Sequence, residues 1–306
     1  MTTTSFGDRV DRWILKKGFR AQRPLSSLRA IEARRFAARP MAFLEARRTA
    51  LTVTAGSPWV NFISRDSGYK LFAPDTIPHI PLVVATCNAV YRRRAAELAN
   101  PVNKRYFFNL LSVADLRQHA VLVDFALSAP FTEAVTGYLG QVPRLNSIGV
   151  FYSSVNDTTA GSQMFHVDGD ALSQIKGFVN VWDVTPGGGE FTFVPKGRTT
   201  QSLRRGGLLK TISDKDLAEV MPESEQIRLF GRPGTGVLCD TSRCLHQGSR
   251  ARERPRLVFQ FQYVSRPDAL VVRASSKPVP GGHLSITREI IDGLNLANPK
   301  AMLFVD

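Results

Sequence analysis

IKGFVNVWDVTPGGGEFTFVPKGR, residues 175–198, is the stretch of sequence that decides the fold. It contains two short runs rich in Val, Ile and Phe, separated by the turn residues Thr-Pro-Gly-Gly-Gly, which is typical of a β-hairpin. The same texture recurs outward from it in SIGVFYSS (147–154), GTGVLCD (234–240) and RLVFQFQYV (256–264). Short strands joined by turns favour an antiparallel sandwich or barrel over alternating βαβ units.

The flanking sequence is richer in helical patterns. Apolar residues near helical spacing indicate helices over residues 7–50, 88–100 and 130–139, and a final helix after Ser285. Ser213 followed by Asp216 resembles a capping box at the start of a helix inserted between strands. Between the first two helical regions, TVTAG, PWVNFIS and IPLVVAT are predicted as short β-type runs within residues 51–86.

These patterns predict a mainly β protein with flanking helices (α+β). We expect three regions, namely a helix-rich basic N-terminal segment packed on the core (1–105), a β core (106–275), and a C-terminal helix and tail (276–306).

Composition excludes several classes of protein. The 306 residues are 43% hydrophobic and 22% charged, which argues against a disordered, collagenous or coiled-coil chain. Three cysteines without CxxC spacing fit a reducing compartment better than a disulfide framework. No run of 18 apolar residues and no secretory signal pattern occurs, so we expect a cytoplasmic protein without a transmembrane segment.

The positive charge is concentrated near the N-terminus. Of the net charge of +14, residues 1–50 carry +8, residues 51–105 carry +4 and residues 106–306 carry +2. A basic segment can contact an anionic small molecule, the surface of an anionic membrane or nucleic acid, or it can simply be a solvated helical face. Helix-turn-helix and zinc-finger patterns do not occur, which lowers the expectation of nucleic-acid binding.

The run FHVDGD supplies candidate metal ligands. In a strand, His166 and Asp168 point to the same face because side chains alternate with a period of two. They are two of the three ligands in a 2-His-1-carboxylate site for non-haem Fe(II), which leaves three positions open. His246 is the best third candidate because it lies between two strand-like runs, a context that His119 and His283 lack.

A co-substrate such as 2-oxoglutarate would need a buried cation with fork geometry for its distal carboxylate. Arg256, ten residues after His246, shares a strand face with two glutamines, opposite an all-apolar face. Arg254 has the same parity and is the alternative, although Pro255 makes its strand position less regular. Either Asn180 or Trp182 could line the same pocket.

Together, QMFHVDGD (163–170), the stretch at 175–198 and CLHQGSRARERPRLVFQFQY (244–263) resemble the phytanoyl-CoA dioxygenase-type Fe(II)/2-oxoglutarate-dependent oxygenases. The resemblance covers roughly residues 140–265. It implies a double-stranded β-helix (jelly-roll, cupin-like) core, iron held by His166, Asp168 and His246, and Arg256 on 2-oxoglutarate. The sequence departs from the family at Gly248, where Ser or Thr is common, and its arginine arrives one residue early.

The resemblance also implies a reaction. With Fe(II), 2-oxoglutarate and O2, the enzyme would hydroxylate a small or lipid-linked molecule and release succinate and CO2. The alternative from a different class is a catalytically inactive jelly-roll protein that binds an anionic surface or nucleic acid through its basic N-terminal third. Peripheral contact with a membrane is compatible with either function.

Overall fold

A computed structural model of the chain describes residue 37 and residues 40–99, 106–168, 173–199, 211–265 and 283–305. The helices in these ranges are α1 (Pro40–Thr54), α2 (Ile80–Arg94), α3 (Val113–Gln118), α4 (Val121–Ala126), α5 (Ala129–Leu139), α6 (Asp214–Val220) and α7 (Arg288–Ile291). Within these ranges, no helix has the length and apolar character needed to cross a membrane.

In the described residues, the strands form two antiparallel sheets. The strands are β1 (Tyr69–Phe72), β2 (Phe108–Asn109), β3 (Pro143–Ser153), β4 (Phe165–His166), β5 (Gln174–Asn180), β6 (Thr192–Phe193), β7 (Thr211–Ile212), β8 (Ile227–Arg228), β9 (Gly236–Cys239), β10 (His246–Gln247), β11 (Arg256–Ser265) and β12 (Leu284–Ser285). Among the described residues, the larger sheet has the order β1-β9-β5-β11-β3-β12, with β2 also paired to β3, and the smaller sheet has the order β7-β4-β10-β6-β8. The predicted double-stranded β-helix core with flanking helices is confirmed.

Strand β11 lies at the centre of the larger sheet and shows how its two faces differ. Phe259 and Phe261 point outward and join the core formed with the helices, where Phe261 contacts Phe131 of α5. Val258 points inward and packs with Phe151 of β3 and residues of the smaller sheet. The space between the sheets is therefore lined by the second face of β11, which also carries buried polar side chains.

Local sequence explains several helix boundaries. One half of the predicted capping box is present at α6, where the Ser213 hydroxyl accepts a hydrogen bond from the Asp216 backbone N–H at 3.1 Å. At α3, Ser112 and Asp115 form a complete capping box. The Asp115 carboxylate is buried and also pairs with Arg93 and Arg94 of α2. Arg93 and Arg94 therefore link α2 to α3 through their ion pairs with Asp115.

The three β runs predicted within residues 51–86 are wrong, and the strand described in this region is β1 (Tyr69–Phe72). The run IPLVVAT begins α2, with Pro81 at a position in the first turn where a missing N–H costs nothing. Its β-branched residues are tolerated because Val83, Cys87 and Val90 lie on one helical face and are fully buried. TVTAG includes the end of α1, and residues 57–63 form turns.

The other expected helices are partly confirmed. Residues 130–139 lie in α5, and residues 88–94 lie in α2. The final helix spans only Arg288–Ile291. The helical pattern over residues 7–36 lies outside the described residues, and the three proposed regions with boundaries at 105 and 275 stay a prediction.

Candidate metal centre

The smaller sheet brings the three predicted ligands together. His166 of β4 and His246 of β10 are direct partners in the antiparallel ladder, and Asp168 follows β4 by two residues. One ligand atom from each residue lies within 4.8 Å of the other two. Asp168 Oδ1 is 3.6 Å from His166 Nε2, and Asp168 Oδ2 is 3.6 Å from His246 Nε2. Two imidazoles and one carboxylate thus converge on a single point, as a 2-His-1-carboxylate site requires.

Backbone contacts orient both imidazole rings. His166 Nδ1 lies 2.8 Å from the Met164 carbonyl oxygen, and His246 Nδ1 lies 2.9 Å from the Cys244 carbonyl oxygen. Because a carbonyl oxygen only accepts hydrogen bonds, each Nδ1 must carry the proton. Each Nε2 is left with a lone pair directed toward Asp168, which is how protein metal sites commonly fix the tautomer of a histidine ligand.

Several donors surround the carboxylate of Asp168. Its Oδ2 atom accepts a hydrogen bond from Gln174 Nε2 at 2.8 Å and lies 2.8 Å from Lys176 Nζ. Its backbone N–H donates to the Thr241 carbonyl oxygen at 2.9 Å. Burial alone would raise the pKa of Asp168, but the positive charge of Lys176, with the two histidines, holds this pKa well below its usual range. The carboxylate is therefore charged and ready to bind a cation.

The imidazole of His246 is held in its neutral form. Burial lowers the pKa of His246 to about 3, with a raising effect of Asp168 and further lowering effects of His166 and Lys176. A neutral imidazole with a free Nε2 is the form that coordinates a metal ion. The donor set of two nitrogens and one carboxylate oxygen suits Fe(II) and leaves room for further ligands.

Arg256 lies on the inner face of the larger sheet and is 3% exposed. Among the described residues, its Nε and Nη2 atoms have no hydrogen-bond partner. Burial lowers its pKa to about 10, with an opposing effect of Glu190. An unpaired, buried guanidinium is costly for a protein to maintain, so this arginine is suited to an anionic ligand.

Two further buried polar groups adjoin Arg256. Ser153 is its direct ladder partner on β3, and Asn180 of β5 is opposite Val258, one diagonal step away. Within the described part of the chain, the Ser153 hydroxyl and both polar atoms of the Asn180 amide lack hydrogen-bond partners. By parity with Phe151 and Phe178, these groups face the space between the sheets. They form a polar end to that space.

Gly248 lies close both to this polar end and to the candidate metal ligand His246. It follows His246 by two residues, and a Cβ atom added there would lie 3.9 Å from Arg256 Nη1. The position where the resembled family commonly has Ser or Thr therefore lies beside the guanidinium, with space for a small side chain.

The other candidates lie elsewhere. The structure does not bring Arg254 to this site, since its side chain is 53% exposed and 4.0 Å from Glu253. Trp182 donates a hydrogen bond to Asn88 of α2 at 2.9 Å and packs in the helix-covered core. His119 ends α3, and His283 lies against Phe151, 3.3 Å from Gln260 Nε2. Cys244 is buried between the sheets and contacts the Gly68 carbonyl oxygen.

Sequence reasoning missed the residues that hold Asp168. Gln174 Nε2 also donates to Thr241 Oγ1 at 2.8 Å, and its Oε1 accepts from Gln262 Nε2 at 3.2 Å. The signal that could have found them is the alternation of Gln174, Lys176 and Asn180 along a strand buried on both faces. Polar residues are rarely buried without partners, so such a pattern indicates a polar network.

Comparisons with known proteins give a consistent but distant set of neighbours. No protein-family model matches the chain, and no curated protein matches it. Among the solved structures, EctD from S. alaskensis with bound Fe is 15% identical, with 67% of this chain and 75% of that chain aligned at a TM-score of 0.46. HygX from Streptomyces hygroscopicus with nickel and 2-oxoglutarate bound is 16% identical, with 66% and 84% aligned at a TM-score of 0.44. SnoK, a non-heme alpha ketoglutarate dependent carbocyclase from nogalamycin biosynthesis, is 16% identical, with 74% and 92% aligned at a TM-score of 0.43.

Proposed function

We propose that the protein is a non-haem Fe(II)- and 2-oxoglutarate-dependent oxygenase, related to the phytanoyl-CoA dioxygenase-like enzymes, that hydroxylates a small or lipid-linked molecule. The observation that carries this proposal is the pairing of two sites. The His166–Asp168–His246 group faces the same inter-sheet space as the buried, unpaired Arg256. A metal centre alone would fit many proteins, but a metal centre beside an unpaired guanidinium fits a chelating co-substrate with a second carboxylate.

Each of these residues would have a distinct role. His166, Asp168 and His246 would hold Fe(II) on one face, and Arg256 would bind the distal carboxylate of 2-oxoglutarate. Asn180 and Ser153, which adjoin Arg256, offer an amide and a hydroxyl to the same co-substrate. When bound, the iron supplies the activation of O2, with oxidative decarboxylation of 2-oxoglutarate to succinate and CO2.

The protein would contribute orientation and exclusion of water. The buried apolar side chains of Phe151, Phe178 and Val258 share strand faces with the polar end at Arg256 and would help to exclude water from it. Beyond them, Gln260 and His283 offer hydrogen-bonding groups beside Phe151, a mixed surface suited to a substrate with both polar and apolar parts. We propose a cytoplasmic location and a substrate that can be anionic or lipid-linked, and the sequence carries no strong signal for binding nucleic acid.

The test is release of succinate. Protein loaded anaerobically with Fe(II) should consume 2-oxoglutarate on exposure to O2, slowly without substrate and faster when a library of small molecules contains one. His246→Ala should abolish both metal binding and succinate release, while Arg254→Met, altered on the surface, should retain both. A wild-type protein that binds no Fe(II), or a His246→Ala variant as active as wild type, would refute the proposal.

A further inference from the structure

Lys176 is a buried cation in direct contact with a proposed metal ligand. It lies on β5, where the Gln174, Phe178 and Asn180 side chains share its face, and its side chain is only 9% exposed. Its ammonium is 2.8 Å from Asp168 Oδ2, the same oxygen that accepts from Gln174 Nε2. Because Oδ2 is engaged by two donors, Oδ1 is the better placed oxygen for a metal ion.

The ammonium adds a charge that a 2-His-1-carboxylate site does not require. Two neutral imidazoles and one carboxylate leave a divalent metal ion with a net charge of about +1. Lys176 raises the charge of the buried group by one more unit. Repulsion between this fixed cation and the metal increases with the charge of the metal, and it is screened weakly at a buried position. The contact therefore disfavours a trivalent ion more than a divalent ion.

We infer that Lys176 is a positioning residue that holds Asp168 by Oδ2 and, through its positive charge, favours Fe(II) over Fe(III) at this centre. The inference rests on the proposed function. It gives Lys176 a purpose beyond packing, since an oxygenase of this class must keep its metal ferrous until its co-substrate is bound. Gln174 shares the hydrogen-bonding role but contributes no charge, so the two residues can be separated by experiment.

The experiment measures the Fe(III)/Fe(II) midpoint potential of the full-length protein. Iron-loaded protein is titrated with redox mediators that exchange one electron with the metal, and the Fe(III) signal is followed by electron paramagnetic resonance. The variants are Lys176→Gln, which keeps a hydrogen-bond donor without charge, Lys176→Met, which removes both, and Lys176→Arg, which keeps the charge. Lys70→Met is the matched control because Lys70 is exposed on β1, where its ammonium lies over the Phe62 ring.

We expect both neutral variants to shift the balance toward Fe(III), by about 10- to 100-fold in the Fe(III)-to-Fe(II) ratio at a fixed potential. Lys176→Arg and Lys70→Met should stay within about threefold of wild type. If Lys176→Met does not fold, Lys176→Gln decides the outcome. A wild-type potential in Lys176→Gln would overturn the role of charge while leaving the oxygenase proposal intact. A wild-type protein that takes up no Fe(II) would overturn both.

Discussion

Replacing Arg256 with Met should weaken the binding of 2-oxoglutarate and, at the same time, stabilise the ligand-free protein. The guanidinium is 3% exposed, and two of its nitrogens have no partner among the described residues. Folding therefore removes a charge from water without replacing the hydrogen bonds of these two nitrogens. Met is unbranched and flexible, can occupy the space of the aliphatic part of Arg and carries no charge, so the substitution removes this penalty from the folded state.

The shifted pKa gives the size of the effect. Burial lowers the pKa of Arg256 from its ordinary value to about 10, which corresponds to about 3 kcal/mol against the charged form in the folded protein. Since the folded-state pKa is the lower one, this penalty is complete below pH 10 and disappears as the pH rises toward the ordinary pKa of an arginine. A carboxylate bound to the guanidinium would offset most of the penalty, so the same energy predicts about 100-fold weaker binding of 2-oxoglutarate by the variant.

Two measurements at neutral pH check this prediction. Isothermal titration of 2-oxoglutarate into Mn(II)-loaded protein gives the dissociation constant without turnover, and urea unfolding of the metal-free protein gives the stability. We expect the variant to gain up to about 3 kcal/mol of stability, less any strain from repacking. Arg254→Met is the control and should change neither quantity, because Arg254 is 53% exposed. Wild-type affinity for 2-oxoglutarate in Arg256→Met would refute the assignment.

Three other substitutions test different parts of the structure. Gly248→Ser places a hydroxyl beside Arg256, and it should tighten 2-oxoglutarate binding by about 3- to 10-fold in the same titration. Asp115→Asn removes the charge of the buried carboxylate that pairs with the partly exposed Arg93, and it should cost about 1–2 kcal/mol in urea unfolding at pH 7. Burial raises the pKa of Asp115, but hydrogen bonds with Ser112 and the charge of Arg94 lower it overall. The carboxylate therefore stabilises the folded protein fully above pH 3.8, and the stability difference between variant and wild type should shrink at pH 3. Gly177→Ala would overlap the Phe261 ring, and a loss of about 1–3 kcal/mol is expected by the same method; an unchanged midpoint would contradict the observed packing.

The strands with a clear period of two were predictable from the sequence, and so was the grouping of His166, Asp168 and His246. RLVFQFQYV has one apolar and one polar face, and the structure uses the first against the helices and the second toward the other sheet. The spacing of His166 and Asp168 placed both on one face, and the strand context singled out His246. Local patterns sufficed here because alternation along a strand fixes which side chains share a surface.

The residues that surround the His166–Asp168–His246 group could not be predicted from local patterns. Whether Arg256 or Arg254 turns inward depends on where β11 begins, and the ladder starts at Arg256 opposite Ser153. Val and Ile favour strands locally, so the sequence from Ile80 predicts a strand, but burial against other helices overrides that preference and a helix begins there. Contacts such as Lys176 with Asp168 join segments that only the fold brings together.

The residues of the site come from long strands in the larger sheet and from short strands in the smaller sheet. Arg256, Asn180 and Lys176 lie on long strands of the larger sheet, where β11 pairs along its length with β3 and with β5. The two histidines of the candidate metal site lie on β4 and β10, and Asp168 follows β4 by two residues. Each of these strands is two residues long, and a single ladder pair, His166 with His246, joins them. Few backbone hydrogen bonds hold the smaller sheet at this point, so Asp168 and its donors on the larger sheet must help to fix the ligand geometry. Lys176 and Gln174 therefore connect the larger sheet to the smaller one through one carboxylate, and a metal ion at this group would add a further link between β4 and β10.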